Sequence, residues 1–186
     1  MVNLNPFSTP KANQDQNALN PVDVVDFYLK LDKDQGPDQE IVKSIRMYPV
    51  WHFRRLTLED LGRLDWHFNN DKNNISWFLT NSGSKRSSLD VAKYYLSERF
   101  DCMRSTWDGS KIINQWVDIV VAQGKLPPII IVEGERYPSA SNSPIIDGFY
   151  RTMAYLVSSL INPEDRGVII EAYVGKKSPV LDRLSD

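Results

Sequence analysis

Between Ile145 and Arg151 the chain reads Ile-Ile-Asp-Gly-Phe-Tyr-Arg, an apolar pair that gives way to Asp-Gly and then to residues suited to a helix. A strand that turns into a helix over so few residues leaves the first backbone N–H groups of that helix unpaired, together with the positive end of its dipole. Such a place attracts anions. Gly148 lets the backbone come close to a ligand, and Arg151, about one turn in, carries a planar fork suited to phosphate or carboxylate. Asp147 can cap the helix, hold a metal or a water, or bond a ligand hydroxyl. The plainer alternative is that Asp147 only caps the helix and Arg151 is only its surface partner.

Other residue types with chemical potential fit less well. Glu133 and Glu135 follow the apolar run Ile129 to Val132, and with Asp147 they are expected at the carboxyl ends of two neighbouring strands, where open sheets bind ligands. There they can hold a divalent ion beside a phosphate, although loop carboxylates also gather there simply to be solvated. His52 and His67 have no zinc spacing and no cysteine partner, so each reads as a packing or surface histidine. No Gly-x-Ser-x-Gly elbow, Walker loop or Rossmann glycine loop occurs. The tryptophans at 51, 66, 77, 107 and 116 are scattered over the expected elements and read as core residues rather than a base-stacking set. Arg54, Arg55, Lys85 and Arg86 form two short basic runs that can touch DNA or merely solvate a surface.

The elements that must position the junction are legible in outline. Residues 1–19 are polar, hold two prolines and lack periodicity, which predicts a mobile arm. Asn20-Pro21 starts a helix to Leu31 with Val22, Val25, Tyr28 and Leu29 on its apolar side. Asp32 to Glu40 reads as a loop and Ile41 to Met47 as a strand. Thr57 and Asp60 make a capping box for a helix to about Asn69, with Leu58, Leu61, Leu64 and Phe68 inward, and Ser87 to Asp90 repeats the signal for a helix bearing Leu89, Ala92, Tyr95 and Leu96. Asp108-Gly109 turns and Ser110 caps a helix with Ile112, Ile113, Trp116, Ile119 and Val120 as its stripe, ending at Gly124 in a left-handed cap. Pro127-Pro128 forces extended backbone before the buried strand Ile129 to Val132. Glu133 to Asn142 is a loop, Ile145-Ile146 a very short strand, Gly148 to Leu160 a helix and Val168 to Val174 a last strand.

A length of 186 residues, 41% apolar and 25% charged, suits a single core. The expected fold is α+β, one mixed sheet with surrounding helices over residues 20–186, mostly helical to 105 and with the sheet core from 106. One cysteine, Cys102, excludes an intramolecular disulfide and a thiolate metal cluster, and it reads as a small buried hydrophobe. That usage, no apolar core of signal-peptide length near the amino terminus and no run of eighteen apolar residues predict a cytoplasmic protein without a membrane partner. A net charge of -2 argues against a protein whose main task is coating phosphate backbones.

The segments Trp116 to Gly124, Leu126 to Val132 and Pro144 to Ala154 together resemble the ParB/sulfiredoxin-like superfamily over about residues 110 to 175. In that superfamily a helix ending in glycine precedes a Pro-Ile strand, and an Asp-Gly-x-His-Arg or related motif opens the next helix to bind nucleotide phosphate. The resemblance implies a nucleotide, with magnesium, as ligand. Gly148, Phe149, Tyr150 and Arg151 would bind it, and Asp147, Glu133 and Arg151 would serve hydrolysis or phosphate transfer. Two positions depart from the motif. Tyr150 stands where many members have histidine, and Phe149 where sulfiredoxins carry their reactive cysteine, so sulfinic-acid repair is not expected. The loop Glu133 to Tyr137 is longer than the family's usual turn and reads as a lid or an insertion. The rival expectation is a non-catalytic regulator that keeps the fold and binds a protein or DNA partner.

Overall fold

The computed structural model describes residues 18–31, 38–66, 86–133, 144–163 and 168–176. The arm up to Asn17, the loop 32–37, His67, Phe68, Asn69, Trp77, Lys85, and the segment with Glu135, Arg136 and Tyr137 lie outside them, as do the side chains of Trp66, Arg86 and Cys102.

Helix α1 (Pro21–Leu31) starts as Asn20 dictates: its Oδ1 accepts from Asp23 N at 3.0 Å, while Asn20 N donates to Asp23 Oδ2 at 3.1 Å. Its buried stripe is Val24, Val25 and Tyr28. The sequence reading had Val22 and Leu29 inward, yet both are exposed, because each sits roughly 100° round the helix from the middle of that stripe. A second correction follows at α2 (Gln39–Arg46), which replaces the strand expected over Ile41 to Met47. Asp38 accepts from Glu40 N at 2.8 Å and caps it, and Ile41, Val42 and Ile45 meet the core at helical spacing.

Strand β1 (Val50–Leu56) was not expected. The next helix, α3 (Leu58–Gly62), has the full Thr57/Asp60 capping box but ends seven residues short of Asn69, and Asp65–Trp66 becomes β2, paired antiparallel with β3 (Arg86–Ser87). Ser87 caps α4 (Ser88–Tyr95), as read from the sequence. A 3-10 turn (Glu98–Phe100) and α5 (Asp101–Arg104) lead to α6 (Asp108–Gln123). Ser110 is not its cap: the helix begins two residues earlier, and Ser110 is buried in its first turn. Gly124 ends α6 at φ 70°, the left-handed cap foreseen. Then come β4 (Ile129–Val132), β5 (Ile145–Asp147), α7 (Phe149–Ile161) and β6 (Ile170–Lys176).

The α+β expectation holds. One mixed sheet has the order β1-β6-β4-β5, with β6 antiparallel to β1 and parallel to β4, and β4 antiparallel to β5. The amino-terminal half therefore adds an edge strand to the sheet of the carboxy-terminal half. Both faces are covered. Ile129, Ile131, Ile145, Ala172 and Val174 pack with residues of α4, α6 and α7, while Trp51, Ile130, Val132, Ile146 and Tyr173 pack with α1 and α2. Burial on both faces explains why β4 is an unbroken β-branched run. At Gly175 a side chain would stand 2.8 Å from the Trp51 ring, so glycine there lets the indole lie flat on β6. Tyr155 on α7 ties the sheet's approach strands together, accepting from Leu126 N at 2.7 Å and donating to Ile169 O at 3.0 Å.

Candidate functional site

Asp147 is the last residue of β5 and lies across the ladder from Ile130. The chain then turns at Gly148, φ 102° and ψ 23°, and α7 begins at Phe149. Only glycine adopts such a φ without strain. A Cβ on Gly148 would also stand 2.7 Å from Ile129 Cγ2 and 3.2 Å from Arg151 Nη2. Space beside Gly148 is thus filled by the protein itself, not left for a ligand.

Arg151 turns inward, with its side chain 8% exposed. Nη2 donates to Asp147 Oδ2 in an i,i+4 ion pair, and Nη1 donates to Pro128 O at 2.9 Å and, more weakly, to Pro127 O at 3.4 Å. These contacts join three pieces of chain: the end of β5, the first turn of α7 and the extended approach to β4. Two expectations are corrected here. Asp147 does not cap α7, since Gly148 holds the cap position and no side chain bonds the helix start. Nor does Arg151 project outward as an anion fork, because the Pro127 and Pro128 carbonyls and the Asp147 carboxylate already occupy it.

Glu133 is not part of this cluster. Since β4 and β5 run antiparallel, the end of β5 sits near the start of β4, and Glu133 lies three residues beyond Ile130, roughly 10 Å along the strand. It pairs instead with Arg54 at 2.8 Å and Lys176 at 3.6 Å. The expected meeting of Glu133 and Asp147 at one sheet edge does not occur, and Glu135 lies outside the described residues. Among the described residues no group of three His, Cys, Asp or Glu side chains is placed to hold a metal ion.

What does surround the start of α7 is aromatic. Tyr150 lies 6.2 Å from the Trp107 ring and 4.9 Å from Phe149, and Trp107 meets Phe100 edge-on at 6.0 Å. Phe149, Tyr150 and Trp107 are all only partly buried. A phenol is protonated at neutral pH, and burial raises Tyr150 further above its ordinary 10.0, so it is no proton acceptor of the histidine kind. The reading of Trp107 as a core residue holds in part: it is half-buried and packs against the main core, beside Tyr150.

The first basic run does not form a patch, and Lys85 and the Arg86 side chain of the second lie outside the described residues. Arg54 and Arg55 are neighbours on β1 and point to opposite faces of the sheet, and Arg54 is held by Glu133. His52 sits on the same strand, opposite Val174. No helix among the described residues is long and apolar enough to cross a membrane. No family model, no curated protein and no solved structure matches the chain.

Proposed function

We propose that the chain is a ParB-like domain without catalytic chemistry, which acts by docking on a partner protein and uses Asp147, Gly148 and Arg151 to hold its own fold. The observation that carries this reading is the buried Arg151 guanidinium, with Nη1 held by the Pro127 and Pro128 carbonyls and Nη2 by Asp147. A phosphate would have to displace Asp147 or the proline carbonyls to reach it, leaving buried acceptors unpaired. Tyr150 in the motif's histidine position and the separation of Glu133 from Asp147 support the same reading.

A second reading rests on one specific feature. The start of α7 has no side-chain cap and opens beside Trp107 and Tyr150, so a nucleotide could set its base on the rings and its phosphate on first-turn N–H groups. A thermal-shift panel of nucleoside mono-, di- and triphosphates, with and without magnesium, separates the two on the native chain and on Tyr150→Ala. The docking reading expects no shift with any of them. A ligand at a hundredfold its dissociation constant stabilises by about 2.7 kcal/mol, roughly 5–11 °C for a chain of this size. A rise of that order, lost in Tyr150→Ala, would overturn the docking reading in favour of a nucleotide site.

A further inference from the structure

Helix α6 has a second apolar side. Ile113 and Val120 point inward and are fully buried in the main core. Ile112 and Ile119, one position before each, turn about 100° away from them. Ile112 is 36% exposed, Ile119 and Trp116 are half-buried, and Gln115 and Ala122 are exposed. Ile112, Gln115, Ile119 and Ala122 thus follow one another in alternating three- and four-residue steps on the outer side, the spacing by which one helix packs along another. The backbone is described without a break over 86–133, so no undescribed segment adjoins α6 in sequence. Charges border this seam. Lys111 and Asp118 flank it on one edge, seven residues apart, and Trp116 on the other. Lys111 bonds Asp108 at 3.0 Å, but their side chains are 75% and 88% exposed, so that pair is weak and easily exchanged. Asp118 makes no ion pair among the described residues.

We infer that α6 pairs with α6 of a second copy of this chain, antiparallel, across a two-fold axis level with Ile113 and Asn114. The inference goes beyond the docking role proposed above and does not depend on it. In an antiparallel pair the same edge of both helices meets, so Lys111 of each copy reaches Asp118 of the other. Both contacts are attractive. A parallel pair sets Lys111 against Trp116 and Asp118 against Gln123, and no charge is matched. The antiparallel register one heptad along sets Asp118 against Asp118 of the other copy, and like charges repel. Charge therefore selects direction and register together. In the selected register Ile112 of the two copies meets near the axis, and Ile119 of each lies over the first turn of the other α6. A seam of four residues is far smaller than an obligate interface, so the pairing depends on concentration.

Sedimentation equilibrium of the full chain at low ionic strength, from about 10 μM to 1 mM, reads the pairing. The expected result is a mean mass that climbs from one chain towards two. Lys111→Glu and Asp118→Lys, each alone, should move that climb to about tenfold higher concentration. Mixing these two variants in equal amounts should restore it, because both contacts of the mixed pair again join opposite charges. Ile112→Glu, in the middle of the seam, should keep the chain single throughout. All three positions are exposed, so circular dichroism should show the native fold in each variant. A native chain that stays single at about 1 mM overturns the inference. So does a dimer that the charge variants leave unweakened, or that their mixture fails to restore, since the copies then meet through another surface.

Discussion

Replacing Arg151 separates a fold clamp from a ligand fork. In Arg151→Met the side chain keeps an unbranched apolar stem but loses every donor, so Asp147 loses its cation and Pro128 O its 2.9 Å hydrogen bond. Removing one partner of a buried ion pair costs about 3–5 kcal/mol. The Asp147 side chain is 23% exposed and can be partly rehydrated, which places the cost near the lower end, about 3 kcal/mol. For a chain of 186 residues that lowers the melting temperature by roughly 6–12 °C. Circular-dichroism melts of the native chain, Arg151→Met, Asp147→Asn and the double variant measure it. The double variant should lose less than the sum of the two singles, because the pair is coupled. A melting temperature within a degree of native for Arg151→Met would refute the clamp and return Arg151 to the role of a ligand group.

Two further outcomes follow from neighbouring geometry. Gly148→Ala forces a side chain into a positive-φ position and against Ile129, which should cost about 2–5 kcal/mol in urea unfolding with no ligand present; an unchanged midpoint would contradict the packing described for Gly148. Burial pushes the Tyr155 phenol up to about 12, above its ordinary 10.0, so the folded state holds that proton more tightly than the unfolded one. The stabilisation is therefore complete below pH about 10 and fades as pH rises through about 12, a loss of about 2–3 kcal/mol that an alkaline stability titration should show and Tyr155→Phe should lack.

How much of this was readable depends on where each residue's partners lie in the chain. Local signals were accurate at four helix ends and wrong at Ser110: Asn20 with Asp23, Thr57 with Asp60, Ser87 with Asp90 and the left-handed Gly124 all cap helices within a few residues. The run Ile129 to Val132 was plain because both its faces are covered. Strand β1 was hidden because it lies at an edge, where Arg54 and Arg55 are exposed and interrupt any alternation. Ile41 to Met47 misled because short apolar runs fit either period, and the Asp38 cap that settles the matter lay inside a presumed loop. At the site, the strand-turn-helix junction was legible and its contents were not. The groups that turn Arg151 inward belong to Pro127 and Pro128, more than twenty residues upstream, and no local pattern reports them. The mistaken placing of Glu133 beside Asp147 came from setting the carboxyl ends of both strands at one edge, which holds only for parallel neighbours, whereas β4 and β5 are antiparallel.

The junction also shows why a motif and a ligand are separate inferences. An aspartate at a strand end and an arginine four residues later, inside the first turn of the following helix, are within reach of each other on one helix face. A glycine between them is required once the strand beneath presents a β-branched side chain such as Ile129. Asp-Gly-x-x-Arg is therefore satisfied by intramolecular chemistry alone, and its presence tests the fold before it tests any activity. What distinguishes a binding version is the residue that remains available once the clamp is closed. In this chain that residue is Tyr150, which lies half-buried beside Trp107 and offers a ring and a hydroxyl where an imidazole would offer a proton carrier. Chemistry at this junction would then have to come from outside the motif, and Glu133, the carboxylate best matched to that task by sequence, is committed to Arg54 and Lys176 at the far end of the strand.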